Sequence, residues 1–111
     1  MKKSVKSKGI PLRRIRLERL KNPQHADVAV EVAFEEFAKD NDIDALLDTL
    51  RLVAKAQGGL SGLARRTSIS RQTLHEVLSA EGNPRLRTFQ TLLSGLGLRM
   101  SVKPLSPHSQ A

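Results

Sequence analysis

The twenty residues from 59 to 78, GLSGLARRTSISRQTLHEVL, decide the fold of this chain. Their apolar side chains recur at helical spacing, which predicts two short helices joined by a tight turn. These inward-facing residues are Leu60, Leu63 and Ala64 in the first helix, and Leu74, Val77 and Leu78 in the second. Ile69 in the turn fills the space between the two helices. Ser70 is placed to cap the second helix, with its hydroxyl accepting from the backbone N–H of Gln72 or Thr73.

The second helix presents polar side chains outward near its N-terminus. A helix that enters the DNA major groove contacts base edges with its N-terminal residues. Arginine can pair with guanine, and glutamine with adenine, through two hydrogen bonds each. We therefore predict base contacts from Arg71, Gln72 and His75. Hydroxyl and guanidinium groups near helix N-termini suit phosphate oxygens, and the predicted phosphate contacts are Ser61, Ser70, Thr73, Arg85, Arg87 and Thr88.

Three further helices are predicted around this pair. They run from the capping pair Asn22 and Pro23 to residues 40–41, from the cap Asp42 to Gly58 and Gly59, and from about residue 87 to 96. The predicted fold class is therefore all-α, a five-helix bundle that contains a helix-turn-helix.

Residues 22–102 are predicted to form this helical domain, between an N-terminal arm at 1–21 and a flexible tail at 103–111. The apolar side chains of residues 98–102 alternate as in a half-buried strand. That strand could form a short terminal β-ribbon with residues 14–18, or with its equivalent in a second copy of the chain.

Charge divides the chain into three parts. Residues 1–21 carry a net charge of +8, residues 22–48 carry −7, and residues 49–111 carry +7. A polyanion should prefer the two basic ends and avoid the acidic middle. The charged, weakly apolar residues 1–9 are predicted to be disordered, because they cannot bury enough apolar surface to order themselves.

The residue inventory argues against several classes of protein. The chain has no cysteine, and its three histidines are scattered, so we predict no metal site. No nucleophile–base pair or glycine-rich phosphate loop is present, so the chain is predicted not to be an enzyme and to need no cofactor. No apolar run reaches the ~18 residues of a membrane span, and no secretory signal is recognisable. The expected location is the cytoplasm, with no membrane partner.

The motif residues resemble those of the Xre/Cro-type helix-turn-helix family: Leu63, Ala64, Ser68, Ile69, Ser70, Leu74, Val77 and Leu78. More narrowly, residues 22–102 are similar to the downstream antitoxins of addiction modules. The similar features are an acidic helical pair followed by the runs Ala54–Ser61, Leu63–Arg65, Ser70–Arg71, Leu78–Pro84, Thr88–Phe89 and Leu96–Leu98. Two features depart from that family. Ser68 stands where glycine is usual, so either a serine is left-handed or the turn differs. Residues 1–21 are longer and more basic than the short, acidic or neutral region that precedes the first helix in that family, so the resemblance implies no role for them.

The resemblance implies a repressor that binds its own operator and neutralises a small basic toxin, a ribosome-dependent ribonuclease of the RelE/HigB kind. Charge complementarity would direct such a toxin to acidic side chains on the first two predicted helices. These candidates are Asp27, Glu31, Glu35, Asp44 and Asp48. The alternative is that these carboxylates form an ordinary solvated face.

A single helix-turn-helix reads only a few base pairs, so a homodimer on a palindromic double-stranded operator is predicted. Two other functions remain open. The chain could be an interaction module that masks a partner enzyme and has little role on DNA. It could also be a nonspecific nucleic-acid binder that uses its basic arm, which would show a steep salt dependence and little sequence preference.

Overall fold

The structure is a computed structural model that describes residues 11–79 and 83–105. These two ranges form six α-helices and no strand. The helices are α1 (Leu12–Arg19), α2 (Pro23–Asp40), α3 (Ile43–Ala56), α4 (Gly59–Thr67), α5 (Arg71–Val77) and α6 (Leu86–Gly95). The predicted all-α class is thus confirmed for the described residues, with one helix more than expected. The prediction of disorder at residues 1–9 and most of the predicted tail lie outside the described residues.

The ends of α2 and α3 follow from local side-chain chemistry. The Asn22 side chain accepts a hydrogen bond of 2.9 Å from a first-turn backbone N–H, and Pro23 opens α2, where an N–H would have no partner. Helix α2 stops at Asn41, whose φ of 56° is left-handed. The Asp42 carboxylate then accepts from the Ala45 N–H at 3.1 Å and begins α3.

Helix α3 is central to the core and packs against α1, α2 and α4. It supplies six of the fourteen buried apolar residues. The buried set is Leu20, Ala26, Val30, Leu46, Leu47, Leu50, Leu52, Val53, Ala54, Leu63, Leu74, Leu78, Leu92 and Leu93. Helices α5 and α6 both pack on α4. Since none of the described polar or charged residues is buried, apolar burial holds the six helices together.

The N-terminal half of the suggested β-ribbon is wrong, because residues 14–18 belong to α1. The alternation of apolar residues there was short. A helix lets Leu17 and Leu20, three positions apart, contact the core together. The Leu20 carbonyl also accepts a hydrogen bond of 2.9 Å from the side-chain nitrogen of Gln57 at the end of α3. This contact fixes α1 to the helical body.

The C-terminal half of the ribbon is also absent, since residues 98–102 form no strand in the described chain. Helix α6 ends at Gly95. Two residues later the chain turns at Gly97, whose φ is +80°, and the Leu98 N–H donates to the Leu93 carbonyl at 2.9 Å. This bond closes a helix terminus. Leu98 packs against the core, whereas Val102 is 96% exposed. Within the described chain the segment therefore has no partner strand, and of these two residues Leu98 alone packs on the core. Pairing of this segment with a second copy of the chain stays a prediction.

Gly95 allows α6 to approach α4 closely. A Cβ at this position would overlap the Thr67 Cγ2 and lie 2.8 Å from the Leu63 Cδ1. Thr67 cannot turn away without loss, because its hydroxyl donates to the Leu63 carbonyl at 2.8 Å and accepts from the Ile69 N–H at 3.2 Å. The close contact between α4 and α6 therefore depends on glycine, which has no side chain, at position 95.

Overpacking in Gly95→Ala should cost about 2–3 kcal/mol, because the added Cβ would lie within 3 Å of two side-chain atoms. The helix-propensity gain of alanine over glycine offsets at most about 1 kcal/mol of this cost, so the free energy of unfolding should fall by about 1–2 kcal/mol. Denaturant unfolding measures the difference. In a Thr67→Ser background, which keeps the hydroxyl and removes the methyl, the cost should fall by about 0.5 kcal/mol or more. Ser94→Ala, on the exposed side of α6, is the control. Unchanged stability in Gly95→Ala would contradict the close approach.

Candidate nucleic-acid interface

The turn between α4 and α5 contains a left-handed serine. Ser68 has φ of 63° and ψ of 19°, and its N–H donates to the Ala64 carbonyl at 2.9 Å. Of the two possibilities left by the sequence, the left-handed serine is the one observed. This conformation costs a residue with a side chain roughly 1 kcal/mol more than glycine. The Thr67 hydroxyl bonds to Leu63 and Ile69 brace the same turn.

Helix α5 is only seven residues long and is held at both ends. The Ser70 hydroxyl oxygen accepts from the Thr73 N–H at 3.0 Å, and its O–H donates to the Thr73 Oγ1 at 2.9 Å. Of the two cap partners predicted, the structure selects Thr73. Leu74 and Leu78 have exposures of 0% and 1%, so they orient the helix by fixing its inner side.

The three predicted base-contact residues, Arg71, Gln72 and His75, are all exposed on α5. Among the predicted phosphate contacts, Thr88 is half-buried and the others are exposed, namely Ser61, Ser70, Thr73, Arg85 and Arg87. Arg85 and Arg87 lie at the start of α6. Helix α5 therefore carries the predicted base-contact set on its outer side, and the predicted phosphate contacts are spread over α4, α5 and α6.

A groove beside α5 gathers basic residues that the motif did not reveal. Arg13 from α1, Arg51 and Lys55 from α3, and Arg71 and His75 from α5 line it, and we call it the basic groove. Arg51 is a fixed wall residue, because its guanidinium donates to the Leu78 carbonyl and to Asp48. The spacing of Arg51 and Lys55, four positions apart on α3, was a visible signal in the sequence. No sequence pattern places Arg13 beside them.

Asp48 is engaged by two arginines. The Arg13 Nη2 lies 3.2 Å, and the Arg51 Nη2 2.9 Å, from its Oδ1, and a second Arg13 nitrogen lies 3.4 Å from its Oδ2. The Arg13 hydrogen bonds, with support from Arg51, hold the pKa of Asp48 below its usual value despite partial burial, which acts in the opposite direction. Asp48, a predicted toxin contact, therefore already has two cationic partners.

The other predicted toxin contacts divide between two places. Asp27, Glu31 and Glu35 line one wall of a groove between α2 and the segment after α6, which we call the acidic groove. Its opposite wall includes Arg99 and Lys103, and its apolar lining is Val30, Phe34, Ala38, Leu93, Leu98 and Met100. Asp44 is exposed in the first turn of α3 and does not line this groove. The structure thus brings together three of the five acidic candidates.

Residues 23–104 match the protein family described as "Probable addiction module antidote protein". The chain belongs to the addiction module antidote family. A relative from Haemophilus influenzae (strain Rd), which carries the name "Uncharacterized protein", is 30% identical over 74 residues, or 67% of this chain and 75% of the relative. No solved structure shows a significant match. The antitoxin resemblance seen in the sequence is therefore confirmed at the level of the family.

The family region coincides with α2 to α6, since it begins at Pro23, the first residue of α2. Helix α1 precedes that region, although it packs on α3 of the antidote domain. None of the described helices is both long and apolar enough to cross a membrane. Within residues 11–79 and 83–105, no group of three or more metal-binding side chains is arranged to hold an ion.

Proposed function

We propose that this member of the antidote family is a sequence-specific DNA-binding repressor that also neutralises a small basic ribonuclease toxin. Both roles are binding functions, carried out in the cytoplasm without catalysis or a cofactor. The observation that carries the DNA role is the outer side of α5, where Arg71, Gln72 and His75 are exposed on a helix fixed from within by Leu74.

The geometry of α4 and α5 supports a helix-turn-helix of the Xre/Cro type. Two helices of nine and seven residues are joined by the three residues 68–70. A recognition helix must present its N-terminal residues while its inner side is anchored. The Ser70 cap and the buried Leu74 supply these two conditions. The basic groove places further positive charge next to the same helix, which favours a phosphate backbone.

Selection of bound sequences from random duplex DNA tests the repressor role. We expect one enriched palindromic sequence whose half-sites lie about one DNA turn apart, because we propose a homodimer. Footprinting and the mass of the complex in solution check the symmetry. Equal binding to all sequences would contradict a repressor and favour a nonspecific nucleic-acid binder. A single half-site bound by one chain would contradict the dimer.

The acidic groove supports the toxin role. Three carboxylates, Asp27, Glu31 and Glu35, are exposed along α2, and two exposed apolar residues of the same helix, Val28 and Val32, add area that a partner can bury. Opposite charges at an interface raise the association rate and give specificity. A small basic protein encoded next to this chain is therefore the partner we propose.

Replacing Asp27, Glu31 and Glu35 by Asn, Gln and Gln should weaken binding of the neighbouring gene product about tenfold or more at low salt. Titration calorimetry at two ionic strengths measures the loss, which should shrink as salt screens the charges. The matched control removes three other exposed carboxylates by the changes Glu18→Gln, Glu36→Gln and Glu76→Gln. Equal losses in the two variants would mean that net charge, not the acidic groove, attracts the partner.

A further inference from the structure

The basic groove lies beside the outer side of α5, and its walls come from three separate helices. Four of its lining residues are arginine or lysine, namely Arg13, Arg51, Lys55 and Arg71, and His75 also lines it. One carboxylate, Asp48, contacts two of these arginines and offsets one charge. The groove therefore keeps a net excess of positive charge.

The arginine and lysine side chains of the basic groove differ in their bonding partners. Arg51 is bonded to the Leu78 carbonyl and Asp48, and Arg13 is bonded to Asp48. Lys55 makes no hydrogen bond or ion pair with any side chain of residues 11–79 and 83–105. Two arginines are thus pre-positioned by one carboxylate, and a lysine beside them is available to an anion. Arginine positioned in this way loses less conformational entropy when it binds a phosphate.

Helix α1 brings Arg13 to this groove. The helix lies outside the family region, which begins at residue 23. Its position is set by contacts with α3: Leu17 and Leu20 pack on the core, and the Leu20 carbonyl accepts from Gln57. Arg14 and Arg16 are also exposed on this helix. The packing of α1 therefore adds a basic helix next to the α5 surface.

We propose that the basic groove binds the phosphate backbone of duplex DNA, and that α1 extends the DNA interface of this chain beyond the proposed helix-turn-helix. The inference rests on the proposed DNA-binding function and specifies where the strand next to the recognition helix is held. Arg71 and His75 link the two parts, because they lie on the outer side of α5 and also line the groove. Contacts in the groove carry no sequence information, since they address phosphates.

The test measures affinity against salt concentration for the selected operator duplex and for a scrambled duplex of equal length. Each phosphate contact contributes about 0.9 to the slope of log affinity against log salt. The double variant Arg13→Gln/Lys55→Gln should therefore flatten the slope by about 1–2 and weaken binding to both duplexes by about 10- to 100-fold near 0.1 M salt. The ratio of the two affinities should stay the same.

The matched control Arg99→Gln/Lys103→Gln removes the same two side-chain types from exposed positions that line the acidic groove, and its slope should change much less. Removing Arg13 could detach α1 from the domain, so the single variant Lys55→Gln is measured as well. Lys55 is exposed and holds no other helix in place. This variant should flatten the slope by about 1. An unchanged slope in Lys55→Gln, or an equal change in the control, would overturn the inference.

Two further outcomes separate this inference from the proposed function. If the unaltered protein bound the operator and the scrambled duplex equally, the repressor proposal would be refuted. The difference in salt slope between the unaltered protein and the groove variant would still show whether the basic groove binds phosphates. Equal competition by an RNA duplex of the same length would overturn the assignment to DNA, because A-form RNA presents its phosphates along a different groove geometry.

Discussion

Leu74→Ala should lower the free energy of unfolding by about 2–5 kcal/mol, the usual cost of a cavity at a fully buried leucine. Leu74 is 0% exposed and is the buried residue within α5. A helix of seven residues is not stable by itself in water. Tertiary packing, to which Leu74 contributes a fully buried side chain, therefore stabilises α5, and removal of this side chain should affect both the domain and the helix.

Denaturant unfolding and amide hydrogen exchange together measure this effect. The exchange of the α5 amides should accelerate more than that of α3, because local opening of the short helix becomes easier. Gln72→Ala, an exposed change on the same helix, should alter stability by no more than about 0.5 kcal/mol. If Leu74→Ala cost no more than Gln72→Ala, the anchoring of α5 described above would be wrong.

Arg71→Ala/Gln72→Ala should abolish most discrimination between the selected operator and unrelated duplex DNA. Each two-hydrogen-bond contact to a base contributes about 1–3 kcal/mol of discrimination, so the pair should contribute about 2–6 kcal/mol if their effects add. Both side chains are exposed, and stability should therefore be preserved. The expectation rests on the proposed function.

Fluorescence anisotropy with the two duplexes measures this ratio. The matched control Arg99→Ala/Gln90→Ala removes the same two residue types from exposed positions away from α5 and should leave the ratio intact. A double Arg71/Gln72 variant that kept full discrimination would refute the assignment of α5 as the recognition helix. In that event, retained toxin binding would favour the interaction module that masks a partner.

Local sequence signals predicted most helix boundaries because they act over one turn. Asn22, Asp42 and Ser70 accept hydrogen bonds from backbone N–H groups two or three residues ahead. Such a cap needs no tertiary contact. The turn at Ser68 was equally local, although only the structure shows that its backbone is left-handed. The predicted outer side of α5 followed from the same helical periodicity.

The prediction of a β-ribbon within the chain was wrong, because a short alternating pattern forms a strand only when a second strand pairs with it. Residues 14–18 are helical, and Leu17 and Leu20 pack on the core. The ribbon within one chain therefore lacks its first strand, and no strand forms in either described range. A β-ladder needs two segments whose backbones lie side by side. The sequence alone could not show that residues 14–18 and 98–102 do not meet.

The sequence by itself determined the helical class, the caps, the inward residues of α4 and α5, and the outward placement of Arg71, Gln72 and His75, because each depends on spacing within one or two turns. The tertiary structure decided which distant charges meet. Asp48, taken alone as an acidic surface residue, is bound by Arg13 from 35 positions away, because the packing of α1 on α3 brings Arg13 to the basic groove. Long-range packing, not periodicity, therefore assembled the surface next to the predicted recognition helix.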